Sequence, residues 1–80
     1  MKYFVYIIYS PQFDLYYKGY STDPQKRLLA HNSDESRFTR GKGPWELVYT
    51  KGFETKQEAL KEEIRLKKLN RISIKRIIAG

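Results

Sequence analysis

The stretch "KYFVYIIYSPQFDLYYKGY", Lys2 to Tyr20, decides the fold. Its first part, Tyr3 to Tyr9, is an unbroken run of aromatic and β-branched residues. A strand without polar alternation is buried on both faces, so residues 3–9 are expected to be the central strand. "SPQFD" at 10–14 contains Pro11 and Asp14, both turn formers. "LYYKGY" at 15–20 then resumes the strand pattern, and residues 3–20 read as a hairpin. Gly19 inside the second strand marks a bend or the close approach of another group.

The rest of the chain is read outward from this hairpin. In "STDPQKRLLAHN" Asp23 is an N-cap and Pro24 occupies the first helical position, which predicts a helix from Pro24 to about Asn32. "SDESRFTRGKGPW" at 33–45 is rich in serine, glycine and charge and is expected to be an ordered but mobile loop. "ELVYTKGF" is a third strand. "TKQE" at 55–58 fits the threonine-to-glutamate capping box and opens a helix running to about Leu69. "RISIKRIIAG" is a short last helix carrying Ile72, Ile74, Ile77 and Ile78. The order ββαβαα predicts an α+β fold, a small three-stranded, mostly antiparallel sheet flanked by helices. Eighty residues suit a single domain over 1–80.

Composition excludes several classes of protein. The chain has no cysteine, so neither disulfides nor thiolate metal sites exist, and the expected compartment is the cytoplasm. No apolar run approaches the ~18 residues of a membrane span, and no membrane partner is expected. The tyrosines and the missing small-residue cleavage site in "MKYFVYIIYS" speak against a signal peptide. Sixteen Lys and Arg against nine Asp and Glu give a net charge of +7. That excess favours a polyanionic partner, because basic groups displace counterions from phosphates.

Three groups of residues are candidates for a site. Arg27 and His31 stand four apart on the first helix and share a face, although for this pair alone a solvated face with a histidine near the helix C-terminus is the better explanation. Glu63 is harder to explain by solvation. Helical periodicity puts Ala59, Leu60, Ile64 and Leu66 on one apolar arc with Glu63 near its middle, while Glu58, Glu62 and Arg65 point away. A carboxylate on a buried stripe needs a cation. An i,i+4 pair with Lys67 is the local alternative, but such a pair contributes only ~0.3–0.5 kcal/mol. The third group is the tyrosines. Tyr6 shares a strand face with Phe4 and Ile8, and Tyr17 lies on the opposite face from Tyr16, Lys18 and Tyr20. Sheet packing accounts for most of them individually.

Taken together, these positions resemble the GIY-YIG nuclease superfamily, in particular its small single-domain, UPF0213-like or URI-type members. "FVY" at 4–6 stands where the family has Gly-Ile-Tyr, and "YKG" at 17–19 where it has Tyr-Ile-Gly. Arg27 falls ten residues past the second tyrosine, His31 one turn later, and Glu63 on the later helix. The likeness covers roughly residues 3–69. Phe4 replaces the first glycine, Lys18 replaces the middle isoleucine, and Asn70 alone is available for an asparagine that many members carry after the glutamate. The resemblance implies hydrolysis of a DNA phosphodiester with one divalent ion, Mg²⁺ or Mn²⁺, held by Glu63. It also implies catalytic roles for Tyr6, Tyr17, Arg27 and His31, and a protein partner that supplies target selection. Lys18, Lys26, Arg37, Arg40 and Lys42 are expected to contact the nucleic-acid backbone. A binding module of the same fold would use the same cations without turnover, with Phe38 and Trp45 stacking on bases. An adaptor function would instead rest on the isoleucine-rich C-terminal segment.

Overall fold

Tyr3–Ser10 forms β1, which pairs antiparallel with β2, Leu15–Ser21, on one side and with β3, Glu46–Phe53, on the other. The structure, a computed structural model, describes residues 2–80. The sheet order is therefore β2-β1-β3, with the apolar run in the middle as its composition requires. Val5, Tyr6, Ile7 and Ile8 are all buried. The element order is ββαβαα, closed by α1 (Pro24–Asn32), α2 (Lys56–Lys68) and α3 (Arg71–Ala79).

The two faces of β1 serve different purposes. Val5 and Ile7 pack with Ala59, Leu66 and Ile74, so α2 and α3 cover that face. Tyr6 and Ile8 pack with Trp45, Tyr17, Leu28 and Leu47, so α1 and the 33–45 loop cover the other. Each buried Ile or Leu contributes about 1.5–3 kcal/mol of apolar burial. The helices begin at the predicted caps. The Asp23 side chain accepts the Lys26 N–H, and Thr55 and Glu58 satisfy one another's backbone donors reciprocally. Each cap is worth about 0.5–2 kcal/mol.

Asn70 caps α3, its side-chain oxygen accepting the Ser73 N–H at 2.9 Å. That bond commits the Asn70 amide to the helix cap. Arg71 fixes the same helix to the β1–β2 turn through an ion pair with Asp14 and a cation–π contact with Tyr16. Ile74 is buried and Ile77 and Ile78 pack against its core, which leaves Ile72 as the exposed isoleucine of that segment.

The expected face of α2 needs correction at two positions. Ile64 is 54% exposed, whereas Glu62, expected to point away, is half-buried. The inward side is Ala59, Leu60, Glu62, Glu63, Leu66 and Leu69, which keeps Leu60 of the expected arc and leaves Ile64 outside it. Position 64 lies beyond the sheet's reach, while the aliphatic character of Ala59, Leu66 and Leu69 fixes the helix rotation. Glu62 tolerates this location because Arg65 grips both of its oxygens, at 2.7 and 2.6 Å. That clamp holds the Glu62 carboxyl below the usual carboxylate range.

Candidate active site

Gly19 faces Tyr6 directly across the β1–β2 ladder. A Cβ at position 19 would lie 2.5 Å from Tyr6 Oη and 2.6 Å from its Cζ. The glycine is there because a tyrosine lies across it, and the phenol thereby reaches the side of β2, one of the sheet's two edge strands. This is the close approach that the sequence raised as one of two explanations for Gly19.

At that edge the Tyr6 hydroxyl meets Nε2 of His31 at 2.9 Å. Tyr17 leans on the same imidazole with ring centroids 4.9 Å apart, and lies 6.4 Å from the Tyr6 ring. His31 is fully buried, so its place on α1 is an inward one, not the solvated helix face that the i,i+4 spacing also allowed. Its Nδ1 lies 2.7 Å from Oγ1 of Thr39, a second buried hydroxyl. Burial, with a lesser push from the Arg27 charge, brings the histidine pKa from 6.5 down to about 4. The imidazole is neutral around pH 7.

The Tyr6 phenol is pushed up by burial, with smaller upward contributions from Tyr17 and Glu63. The Arg27 charge opposes this. Arg27 therefore bears on both members of the Tyr6–His31 pair. Glu63 comes from α2, on the opposite face of the sheet, and its charge still reaches the phenol. α1 and α2 flank β2 from its two sides. Tyr6, Tyr17, Arg27 and His31 thus gather on one face, while Glu63 approaches from the other.

The donor set fits a hard divalent ion of low protein coordination. Among the described residues no three His, Asp or Glu side chains cluster into a ready cage. Mg²⁺ needs none, because it keeps several waters and takes one or two carboxylates plus substrate phosphates. The Glu63 side chain is 18% exposed and meets Lys67 Nζ at 3.3 Å. The lysine half of this pair is half-exposed, and an i,i+4 pair of ~0.3–0.5 kcal/mol is easily exchanged for a dication.

The expected backbone contacts lie on β2, α1 and the loop. Lys18 is half-buried on β2, Lys26 is exposed on α1, and Arg37, Arg40 and Lys42 are exposed in the loop. Arg40 and Lys42 bond loop carbonyls, at 3.2 and 3.4 Å. None of the five takes part in the ion pairs among the described residues, which are Arg65–Glu62, Lys67–Glu63 and Arg71–Asp14. Phe38 is 74% exposed beside them, but Trp45 is buried and cannot stack on a base. Its indole N–H donates to the Thr39 carbonyl at 3.3 Å. The main chain of Trp45 is clamped by Asn32, which accepts its N–H at 2.6 Å and donates to its carbonyl at 3.1 Å. Thr39, missed in the sequence, sits in a charged loop where nothing in the residue pattern marks it as inward-facing.

A three-stranded antiparallel sheet with two tyrosines, an arginine and a histidine gathered at one edge and a glutamate on the later helix defines a GIY-YIG catalytic domain. The model of that domain matches residues 2–75, and the chain belongs to the GIY-YIG nuclease superfamily. Within it the chain is similar to a UPF0213 protein of Halobacterium salinarum, 46% identical over 57 residues that cover 70% of this chain and 74% of the relative. It is 37% identical over 78 residues to a UPF0213 protein of Oceanobacillus iheyensis, covering 96% and 90% of the two chains. The solution NMR structure of a UPF0213 protein from Bacillus halodurans superposes with a TM-score of 0.63 at 35% identity, covering 99% of this chain and 84% of that one.

Proposed function

We propose that this chain is a divalent-metal-dependent endonuclease that hydrolyses DNA phosphodiester bonds, with Mg²⁺ or Mn²⁺ held by Glu63. Residues 1–80 act as one domain in this reading. The observation that carries it is the buried Tyr6–His31 hydrogen bond at the β2 edge, under the influence of Arg27, in a chain with five candidate cations that take part in no ion pair among the described residues. A core has no use for such a set, because each buried polar member costs free energy that packing alone would avoid.

The chemistry follows from the positions of the groups. Arg27 presents a planar fork to the non-bridging oxygens of the scissile phosphate. Tyr17 is half-buried and orients the attacking water together with Tyr6. The water oxygen attacks phosphorus, and the bond to the 3′ oxygen breaks. Full burial of His31 behind Tyr6 favours a relay: the water gives up a proton to the phenol oxygen as the phenol passes its own to Nε2. The metal, when bound, polarises the phosphate and stabilises the leaving 3′ oxygen. That oxygen takes a proton from solvent, giving a 3′-hydroxyl and a 5′-phosphate.

No helix among the described residues is long and apolar enough to cross a membrane. We place the activity in the cytoplasm, in DNA repair or recombination, with a protein partner selecting the target. The test is cleavage of plasmid and of a panel of duplex, nicked and branched DNAs, with Mg²⁺ and with EDTA. Metal-dependent strand scission supports the reading. Binding without scission on every substrate replaces it with the binding module.

A further inference from the structure

Two buried hydroxyls bracket His31, Tyr6 Oη on Nε2 and Thr39 Oγ1 on Nδ1. A neutral imidazole has one N–H and one lone pair, so one hydroxyl must donate and the other accept. The proton relay breaks the symmetry. A phenol that passes its proton to the imidazole must present its hydrogen to the ring nitrogen it touches. The phenol proton then points towards Nε2, its hydrogen-bond partner among the described residues. Nε2 is then the acceptor, and the ring hydrogen resides on Nδ1.

We propose that Thr39 is a positioning residue that accepts the Nδ1–H of His31, holding the imidazole in the tautomer whose Nε2 lone pair faces Tyr6. The assignment rests on the nuclease reading above, while its spectroscopic test does not need DNA to be cut. The loop is built to hold this hydroxyl in place. The Thr39 carbonyl accepts the Trp45 indole N–H at 3.3 Å and the Lys42 N–H at 3.1 Å. The Lys42 carbonyl accepts the Ser10 hydroxyl, which ties the loop to β1. Asn32, next to His31 on α1, clamps Trp45 from the other side. The histidine and its threonine are thus fixed to one another through the backbone as well as through the hydrogen bond. When Nε2 takes the phenol proton, Nδ1–H remains bonded to Thr39, so the imidazolium forms without reorientation.

His31 is the only histidine of the chain, so nitrogen-15 NMR of the labelled protein reads its tautomer without overlap. At neutral pH the wild type should carry its hydrogen on Nδ1 with Nε2 bare. Thr39→Val removes the acceptor and should move the hydrogen wholly or partly to Nε2, and Thr39→Ser should restore the wild-type pattern. Turnover of a cleavable DNA should fall about tenfold to a hundredfold in Thr39→Val with KM little changed, the usual cost of losing a partner behind a reacting group, and recover in Thr39→Ser. A wild type with the hydrogen on Nε2, or an unchanged pattern in Thr39→Val, would overturn the proposal. Should Thr39→Val fail to fold, the wild-type spectrum decides alone. If no DNA is cut by the wild type, the nuclease reading fails while the tautomer still stands or falls on its own spectrum.

Discussion

The Tyr6 hydroxyl and Nε2 of His31 are 2.9 Å apart although the residues are 25 positions apart in the chain. Tyr6→Phe keeps the ring and deletes this bond, leaving a buried nitrogen without its partner, at a cost of about 1–3 kcal/mol. DNA cleavage should fall about a hundredfold or more, the contribution of a positioned proton acceptor or donor. In Tyr17→Phe, by contrast, cleavage should slow with stability changed by less than about 0.5 kcal/mol, because this tyrosine is only half-buried. Urea unfolding and single-turnover cleavage of the two variants measure both effects. Equal destabilisation by both would remove the special status of the Tyr6–His31 bond.

Gly19→Ala should be more harmful than its size suggests. The new Cβ would lie within 2.6 Å of the Tyr6 ring, which is itself buried and has no room to yield. Overpacking of this kind costs about 1–3 kcal/mol. The displaced phenol should lose its bond to His31, visible as a changed imidazole resonance alongside lost cleavage. A variant as stable and active as the wild type would show that Tyr6 does not depend on the gap at position 19.

Stability should depend on pH through His31. Its folded pKa of about 4 lies below the 6.5 of a free histidine. Above pH 6.5 neither state binds the proton, and the contribution is fully present. Between 6.5 and 4 the unfolded chain binds a proton that the folded one refuses, so stability falls as pH falls, by up to ~1.4 kcal/mol per unit and on the order of 3 kcal/mol in all. Below about 4 this slope vanishes. Urea midpoints of the wild type and of His31→Gln, compared between pH 6.5 and 5, isolate it from the carboxylates. The wild type should lose more stability over that interval, and parallel curves would contradict the assignment.

How much of this was legible in the sequence depended on whether a residue's neighbours are local. The continuous apolar run of Tyr3–Tyr9 announced a strand buried on both faces, and Asp23-Pro24 and Thr55–Glu58 announced helix starts, because those signals lie within a few residues. Tyr6, Tyr17, Arg27, His31 and Glu63 were legible only as a set, from spacing and family likeness. The inward turn of Thr39 and Trp45 was not legible, since it depends on a loop folding back across the end of α1 to meet Asn32 and His31. The rotation of α2 was misread at Ile64 because hydrophobicity marks what can be buried, whereas the sheet's position decides what is.

That correction is itself testable. Ile64→Lys should change stability by no more than about 0.5 kcal/mol, as expected of an exposed helical site. Leu66→Ala, which opens the core between α2 and β1, should cost about 2–5 kcal/mol. Thermal or urea unfolding gives both values, and a large loss in Ile64→Lys would return that residue to the core.

The most direct measurement compares Glu63→Gln with Glu62→Gln in Mg²⁺-dependent DNA cleavage. Both substitutions remove one negative charge from the inward side of α2 and keep the shape. Glu62 is held by Arg65, so its amide should lose some stability yet still cut. Glu63 is the carboxylate whose charge reaches Tyr6, and a neutral amide oxygen is a much poorer ligand for a hard dication. Glu63→Gln should therefore fold, bind DNA as well as the wild type or better, and make no Mg²⁺-dependent cut. Cleavage by Glu63→Gln at the wild-type rate would contradict the account.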